Sequence, residues 1–218
     1  MYRINKRNYK EYIEASRECT ANRVYPMSIA AGVQSGDVYT NGKGSVMFWH
    51  YCGFAYLSGT VSPNLLEEVY QEFLMPDKGR RFLLITDSEY ITDYYLNRNL
   101  LQFDKRIEYI QSRRTEKPSL SDDRFILERI TAENMKDIQG IIVLPFSWES
   151  TDVFLKYGFW FLFRCNNSFA AVSFSSAVSS EEVDIGIETC EAYRHNGLAS
   201  FFAYEMCEEI LKRDKKPV

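Results

Sequence analysis

The sequence lacks the features that mark several classes of protein. Its five cysteines are scattered and odd in number: Cys19, Cys52, Cys165, Cys190 and Cys207. No C-x-x-C pair occurs among them, which argues against a disulfide framework or a zinc site and favours a reducing compartment. His50 and His195 are the only histidines. They are too few and too distant in sequence to indicate a metal site, so we expect no bound metal.

An excess of positive charge and long apolar runs are also missing. The formal net charge is −4, from 26 Lys and Arg against 30 Asp and Glu, so there is no basic footprint for nucleic acid. No apolar run approaches the length needed to span a membrane. The N-terminal stretch "MYRINKRNYKEYIEASREC" has a charged, helical pattern rather than that of a signal peptide. We therefore expect a cytoplasmic protein with no nucleic-acid or membrane partner.

The length of the chain is sufficient for one large domain or two small ones. Hydrophobic residues make up 45% and aromatic residues 15% of the 218 positions, which is ample for a core. We find no internal sequence repeat. The stretch "SRRTEKPSLSDD", residues 112–123, is polar, contains Pro118 and lacks periodicity, which is typical of a linker. We predict two domains of mixed α/β content, residues 1–115 and 122–218.

The first predicted domain begins with a helix over residues 6–20. Two strands follow in "SVMFWHYCGFAYLSG", on either side of a turn at Cys52 and Gly53. Ser62 and Pro63 begin a helix in "SPNLLEEVYQEFLM", as its cap and its first residue. The pattern then predicts a strand in "RRFLLITD", a helix over 89–97 and a strand in "RIEYIQS". The stretch "NGKGS" fails the spacing of a phosphate-binding P-loop and is predicted to be a hairpin turn.

The second predicted domain begins with a strand in "RFILERI". A helix from Thr131 toward Ile138 follows, and then a helix over 149–157 that ends at Gly158. Three strands come next, in "FWFLFRC", "FAAVSFSS" and "EVDIGIE". The short "NNS" turn between the first two indicates an antiparallel meander. Because a helix follows the last strand, the predicted fold class is α+β.

The stretch "RHNGLA" lies between this last strand and the following helix. The start of a helix presents free N–H groups and the positive end of its dipole, which attract phosphate. Gly197 would let the backbone approach a ligand closely, Arg194 could add charge-assisted hydrogen bonds, and Ala199 is small. These residues suit a pyrophosphate. The alternative is a plain connection, since glycine is common in strand-to-helix turns.

The same six residues, Arg194, His195, Asn196, Gly197, Leu198 and Ala199, resemble the acetyl-CoA signature of the GNAT superfamily of N-acetyltransferases, Q/R-x-x-G-x-G/A. The longer "VDIGIETCEAYRHNGLAS" resembles a subgroup that includes zwittermicin A resistance-type acetyltransferases. The resemblance covers residues 122–218 well and the first half only loosely. It implies that the N–H groups of the turn hold the pyrophosphate of acetyl-CoA. It also implies that the backbone of Ile187, Glu188 and Thr189 binds the pantetheine arm.

The resemblance carries expectations about fold and extent. It implies a GNAT-like domain with a mixed, mainly antiparallel sheet and flanking helices, preceded by a second α/β domain that helps to shape the acceptor site. Members of the superfamily continue past the signature helix with a splayed strand, a helix and a hairpin, which often carry a proton donor. This chain reaches "KKPV" where that strand would begin. We therefore expect that the C-terminal segment and its general acid are missing from it.

Transfer of an acetyl group to an amine requires a neutral amine and a group that accepts its proton. Glu182 and Glu188 are the candidates on the predicted strand, and Glu182 is near the position where some superfamily members carry a base. The alternative for both is a solvated carboxylate at the strand edge.

The function predicted from the sequence is an acetyl-CoA-dependent N-acetyltransferase acting on the amine of a small molecule. A catalytically inactive acyl-CoA-binding or regulatory module is the main alternative. A nucleotide-binding protein of another fold is a weaker hypothesis, because the sequence pattern shows no repeated βαβ unit.

Overall fold

A computed structural model divides the chain into two compact units, unit 1 over Met1–Glu108 and unit 2 over Tyr109–Val218. The structure describes residues 1–96, 98, 101–111, 115–120, 122–135, 138 and 146–218. No helix in these ranges is both long and apolar enough to cross a membrane. The domains 1–115 and 122–218 stay a prediction, because a division into compact units does not show that each part folds independently.

Unit 1 contains a five-stranded sheet in the order β1-β2-β3-β4-β5. Its strands are β1 (Tyr2–Arg3), β2 (Gly36–Thr40), β3 (Ser45–His50), β4 (Phe54–Gly59) and β5 (Leu83–Leu84). The first four are antiparallel neighbours, and β5 pairs in parallel with β4. The predicted turn at Cys52 and Gly53 joins β3 to β4, and Gly53 takes the positive φ of +98° that glycine permits. "NGKGS" forms the predicted hairpin turn between β2 and β3.

The helices of unit 1 are a 3₁₀ helix (Lys6–Tyr12), α1 (Ile13–Arg17), α2 (Val24–Ala30), α3 (Pro63–Val69) with a π-helical turn at Tyr70–Leu74, and α4 (Glu89–Leu96). The helix predicted over residues 6–20 is present as a 3₁₀ helix followed by α1, and it ends at Arg17 rather than at residue 20. The side chain of Asn5 accepts a hydrogen bond from the N–H of Arg7, and the N–H of Asn8 bonds to the oxygen of Asn5 at 2.9 Å. This i to i+3 spacing begins the tighter helix.

Two sequence predictions on unit 1 have opposite outcomes. Helix α3 begins as predicted, with Pro63 as its first residue and the Ser62 hydroxyl accepting the Leu65 N–H at 3.3 Å. The strand predicted in "RIEYIQS" is absent over the described residues 106–111. Ile107 is 68% exposed there, so the apolar residues that suggested a strand have no packed face to support one.

Unit 2 contains a second five-stranded sheet, in the order β10-β9-β8-β7-β6. Its strands are β6 (Phe125–Arg129), β7 (Trp160–Cys165), β8 (Ser168–Val178), β9 (Glu182–Thr189) and β10 (Lys216–Pro217). The predicted antiparallel meander is confirmed over β7, β8 and β9, and β10 pairs in parallel with β9. Asn166 and Asn167 form the tight turn with φ of +50° and +63°, values that asparagine tolerates better than most residues.

The helices of unit 2 are α5 (Thr151–Tyr157) and α6 (Leu198–Leu211). Gly158 ends α5, as predicted. Helix α6 packs on the sheet through Phe202, Met206 and Ile210, which are fully buried. The helix predicted from Thr131 toward Ile138 lies partly outside the described residues, and residues 132–134 form turns.

The predicted linker, residues 112–123, is described at 115–120, 122 and 123. Within it, the Lys117 ammonium lies 2.5 Å from a carboxylate oxygen of Glu205 on α6 and 4.7 Å from the centre of the Phe201 ring. This part of the segment therefore contacts the surface of α6.

Candidate cofactor-binding site

The connection between β9 and α6 forms one wall of an open cleft in unit 2. Strand β9 ends at Thr189, a 3₁₀ turn covers Glu191–Tyr193, and α6 begins at Leu198. The cleft has a volume of about 580 Å³ and is lined by residues 187–189, 193–195 and 197–200. The cleft brings together eight of the ten candidate site residues that the sequence marks. The other two, Asn196 and Glu182, do not line it.

Gly197 occupies the N-cap position of α6 in the left-handed conformation, with φ of +78°. A Cβ atom built on this residue would meet no protein atom within 4 Å. The space beside the Gly197 backbone is therefore open, and a ligand can approach the backbone there without meeting a side chain.

The first N–H groups of α6 are free of side-chain capping. Gly197 has no side chain to accept a hydrogen bond, and the first intrahelical bond runs from the N–H of Phe201 to the oxygen of Gly197 at 3.0 Å. The N–H groups of Leu198, Ala199 and Ser200 precede that bond, so they have no acceptor within the helix. All three residues line the cleft, where these donors and the positive end of the helix dipole favour an anion.

Asn196 shapes the turn from outside the cleft. Its side-chain amide donates hydrogen bonds to the backbone oxygens of Tyr193 at 3.0 Å and Arg194 at 3.1 Å. The N–H of Tyr193 bonds in turn to the oxygen of Cys190 at 2.9 Å. His195 has a positive φ of +66°, so the chain reverses within these bonds. Asn196 therefore holds the turn that presents Arg194 and the start of α6.

Alternate residues of β9 direct their backbone groups to opposite sides of the strand. The N–H of Ile185 bonds to the oxygen of Val218, at the β10 edge. By the alternation of a strand, Ile187 and Thr189 point their N–H and C=O groups to that same edge. Glu188 pairs with Val172 of β8 and points its backbone the other way. Among the three residues that the sequence assigned to backbone binding, the geometry thus favours Ile187 and Thr189.

Glu182 and Glu188 lie at opposite ends of β9. Glu188 lines the cleft. Glu182 is buried, 5% exposed, with a carboxylate oxygen 3.8 Å from the ammonium of Lys216 on β10. At about 3.3 Å per residue the two glutamates are roughly 20 Å apart along the strand, so they do not form one acid–base pair.

Tyr193 and Ser200 line the cleft although the sequence analysis did not select them. Ser200 lies in the first turn of α6, and its place three residues after the glycine could have revealed it. The Tyr193 ring packs edge-to-face against Phe125, with 6.0 Å between the ring centres. Phe125 lies far away in the sequence, so local pattern gave no signal for this contact.

Comparison with known proteins assigns the chain to a family. A family model described as GNAT acetyltransferase matches residues 18–218, which is most of the chain. The chain belongs to the GNAT acetyltransferase family. A comparison with curated proteins finds no match.

Solved structures of GNAT-type proteins share the fold. A GCN5-related N-acetyltransferase-like protein from Streptococcus suis 89/1591 superposes with a TM-score of 0.68 at 14% identity, over 98% of this chain and 88% of that one. A GCN5-related N-acetyltransferase from Kribbella flavida gives a TM-score of 0.52 at 14% identity, over 91% of this chain and 84% of that one. At such identity the likeness shows the GNAT fold, with its mixed sheets and flanking helices. The zwittermicin A resistance-type subgroup stays a prediction.

The cleft fits the cosubstrate that GNAT proteins generally use, acetyl-CoA. The donor set at the start of α6 suits a pyrophosphate, and the missing side chain at Gly197 leaves room for it. Arg194, which is exposed at the mouth of the cleft, provides a cation beside these donors. Family and fold together indicate acyl transfer.

Proposed function

We propose that the chain is an acetyl-CoA-dependent N-acetyltransferase that acts on the amine of a small molecule. One observation carries the proposal: in a chain of the GNAT family, the start of α6 opens uncapped into a cleft beside Gly197, with no protein atom where a side chain would stand.

The start of α6 binds the pyrophosphate in this proposal. The N–H groups of Leu198, Ala199 and Ser200 donate hydrogen bonds to its oxygens, and the Arg194 guanidinium adds a charge-assisted bond. Asn196 fixes the turn through its bonds to the oxygens of Tyr193 and Arg194. The donors are thus in place before the ligand arrives, which lowers the entropy cost of binding.

The backbone of β9 binds the pantetheine arm. Ile187 and Thr189 line the cleft and direct their backbone groups to the β10 edge, where amide groups of the arm can pair with them. The turn follows Thr189, the last residue of β9. A pantetheine arm that begins at the turn and lies along β9 therefore extends toward Glu182, the first residue of the strand.

Acetyl-CoA supplies an activated thioester at the far end of this arm. Glu182, at that end of β9, is our first candidate for the group that accepts the proton of the attacking amine. Glu188 is the second candidate, but it lies beside the proposed pyrophosphate site, where a base would be far from the reacting amine.

The test is turnover with a panel of small amines. The full chain is incubated with acetyl-CoA and each amine, free thiol is measured, and the acetylated amine is identified by mass spectrometry. The proposal predicts thiol release that depends on at least one amine. Binding of acetyl-CoA without transfer to any amine, thiol or protein acceptor would support the inactive module, which the family assignment does not favour.

A further inference from the structure

Unit 1 and unit 2 have the same order of elements. Among the described residues, each has a first strand, at least one helix, three more antiparallel strands, a helix, and a fifth strand parallel to the fourth, and unit 1 has a further helix, α4, after its fifth strand. The fourth strand, following helix and fifth strand are β4, α3 and β5 in unit 1 and β9, α6 and β10 in unit 2. Since the sequence shows no repeat, the likeness is one of topology alone.

We infer that the chain contains the acyl-CoA-binding topology twice and that only unit 2 binds acetyl-CoA, because in unit 1 the chain's own residues take the places of the ligand. This inference rests on the proposed function for its assignment of the cosubstrate to unit 2. Three contrasts between the units support it.

The first contrast is at the N-cap of the helix that follows the fourth strand. In unit 1 this residue is Ser62, whose hydroxyl accepts the N–H of Leu65 at 3.3 Å. In unit 2 it is Gly197, which has no side chain and no neighbour where one would be. The donor that would face a phosphate in unit 1 is thus already bonded to the chain.

The second contrast is in the number of free donors. The first residue of α3 is Pro63, which has no N–H, so only the N–H of Asn64 remains without a partner in the first turn by the geometry of a helix. In unit 2 the N–H groups of Leu198, Ala199 and Ser200 all remain. Helix α3 is also the shorter of the two: it has 7 residues before its π-helical turn, whereas α6 has 14.

The third contrast is along the fourth strand. In unit 1 the oxygens of Gly53 and Ala55 accept the N–H groups of Leu83 in β5 and of Ile85 just after it, so Leu57 points its backbone to that same edge. There the Cys19 thiol donates to the oxygen of Leu57 at 3.8 Å. Burial raises the pKa of Cys19 to about 12, which keeps its proton in place for that bond. In unit 2 the residue that matches Leu57 in register with the fifth strand is Ile185, whose N–H bonds to the oxygen of Val218. Ile187 is the next residue of β9 that faces this edge, and it lines the cleft.

Calorimetric titration of the full chain with acetyl-CoA tests the inference by its stoichiometry. We expect one equivalent per chain. Gly197→Asp should weaken binding more than a hundredfold, because its carboxylate opposes the phosphates, while aspartate remains acceptable at an N-cap and at positive φ. Ala199→Asp, in the first turn of α6, is a second variant with the same expected loss and no positive-φ requirement.

Two controls keep the parental affinity. Gly79→Asp adds the same charge in unit 1, at a residue with φ of +69° and an equally open surrounding. Ser62→Ala removes the cap of α3. Two equivalents in the parent, or one equivalent that survives both Gly197→Asp and Ala199→Asp, would overturn the inference. No binding at all would overturn the proposed function, and with it the assignment of the cosubstrate to unit 2.

Discussion

The side-chain amide of Asn196 donates a hydrogen bond to the backbone oxygen of Tyr193, 3.0 Å away, across the turn that leads into α6. A second bond joins the same amide to the oxygen of Arg194 at 3.1 Å. Asn196, which does not line the cleft, thus sets the position of Tyr193 and Arg194, which do.

Asn196→Ala should weaken acetyl-CoA binding about tenfold. Each lost hydrogen bond is worth about 0.5–1.5 kcal/mol, and the turn must then be ordered by the ligand itself. Calorimetry measures the change. The matched control is Asn134→Ala, in unit 2 and outside the residues that line the cleft. It removes two bonds of a side-chain amide, one donated to the oxygen of Arg129 at 3.1 Å and one accepted from the N–H of Thr131 at 2.7 Å. Equal affinities in the Asn196 variant and the parent would show that the turn needs no such support.

Arg194→Gln should weaken acetyl-CoA binding by roughly 10- to 100-fold, because a charge-assisted bond is worth about 1.5–3 kcal/mol. The affinity of this variant should also depend less on salt concentration than that of the parent. The control is Arg213→Gln, which removes the same charge at the other end of α6, where Arg213 pairs with Glu209 at 2.8 Å. Equal losses of acetyl-CoA affinity in both variants would show that the effect comes from net charge. Arg194 would then make no specific contact with the ligand.

Much of unit 2 is predictable because its signals are local. The alternation in β9, the Asn166 and Asn167 turn and the apolar face of α6 all depend on residues close in sequence. The signature at Gly197 is local too, so the sequence marks most of the cleft wall without any knowledge of the fold.

What the sequence missed depends on contacts between distant residues. The side of β9 to which Ile187 points its backbone is known only from its pairing with β8 and β10. The packing of Tyr193 on Phe125 needs the whole sheet. The shared topology of the two units leaves no trace in sequence, because strand order does not require particular residues at matching positions.

Glu182→Gln should lower kcat by about 10²- to 10⁴-fold, with little change in the affinity for acetyl-CoA, because the proposed base acts on the amine and does not hold the phosphates. Glu188→Gln should retain kcat. Thermal melting of both variants checks the fold, since Glu182 also lies 3.8 Å from the ammonium of Lys216. A Glu182 variant with parental kcat would eliminate it as the base, and the reverse ranking would favour Glu188.

The stability of the protein should fall as pH decreases below about 6.5, in part because of His50. Burial, together with the charge of Arg80, lowers the pKa of His50 from 6.5 to about 3. The unfolded chain therefore takes up a proton at this residue before the folded one does. Between these two pKa values the free energy of unfolding should lose about 1.4 kcal/mol for each unit of pH.

Denaturant unfolding of the parent and of His50→Asn at several pH values between 7 and 4 measures this effect. The asparagine oxygen can accept the N–H of Cys52, as Nδ1 of His50 does at 3.2 Å, and asparagine does not titrate. The variant should have the smaller slope, whatever its absolute stability. His195→Asn, at the exposed histidine, is the control. Parallel slopes for His50→Asn and the parent would contradict the prediction.

The most direct test of the central claim is amide hydrogen exchange, resolved by residue with NMR, on the full chain with and without acetyl-CoA. Binding at the start of α6 should slow exchange at the N–H groups of Leu198, Ala199 and Ser200, while the N–H of Asn64 at the start of α3 should exchange at the same rate in both samples. Unchanged exchange at the three α6 amides under saturating acetyl-CoA, or slowing at Asn64 instead, would contradict the assignment of the cosubstrate to this cleft.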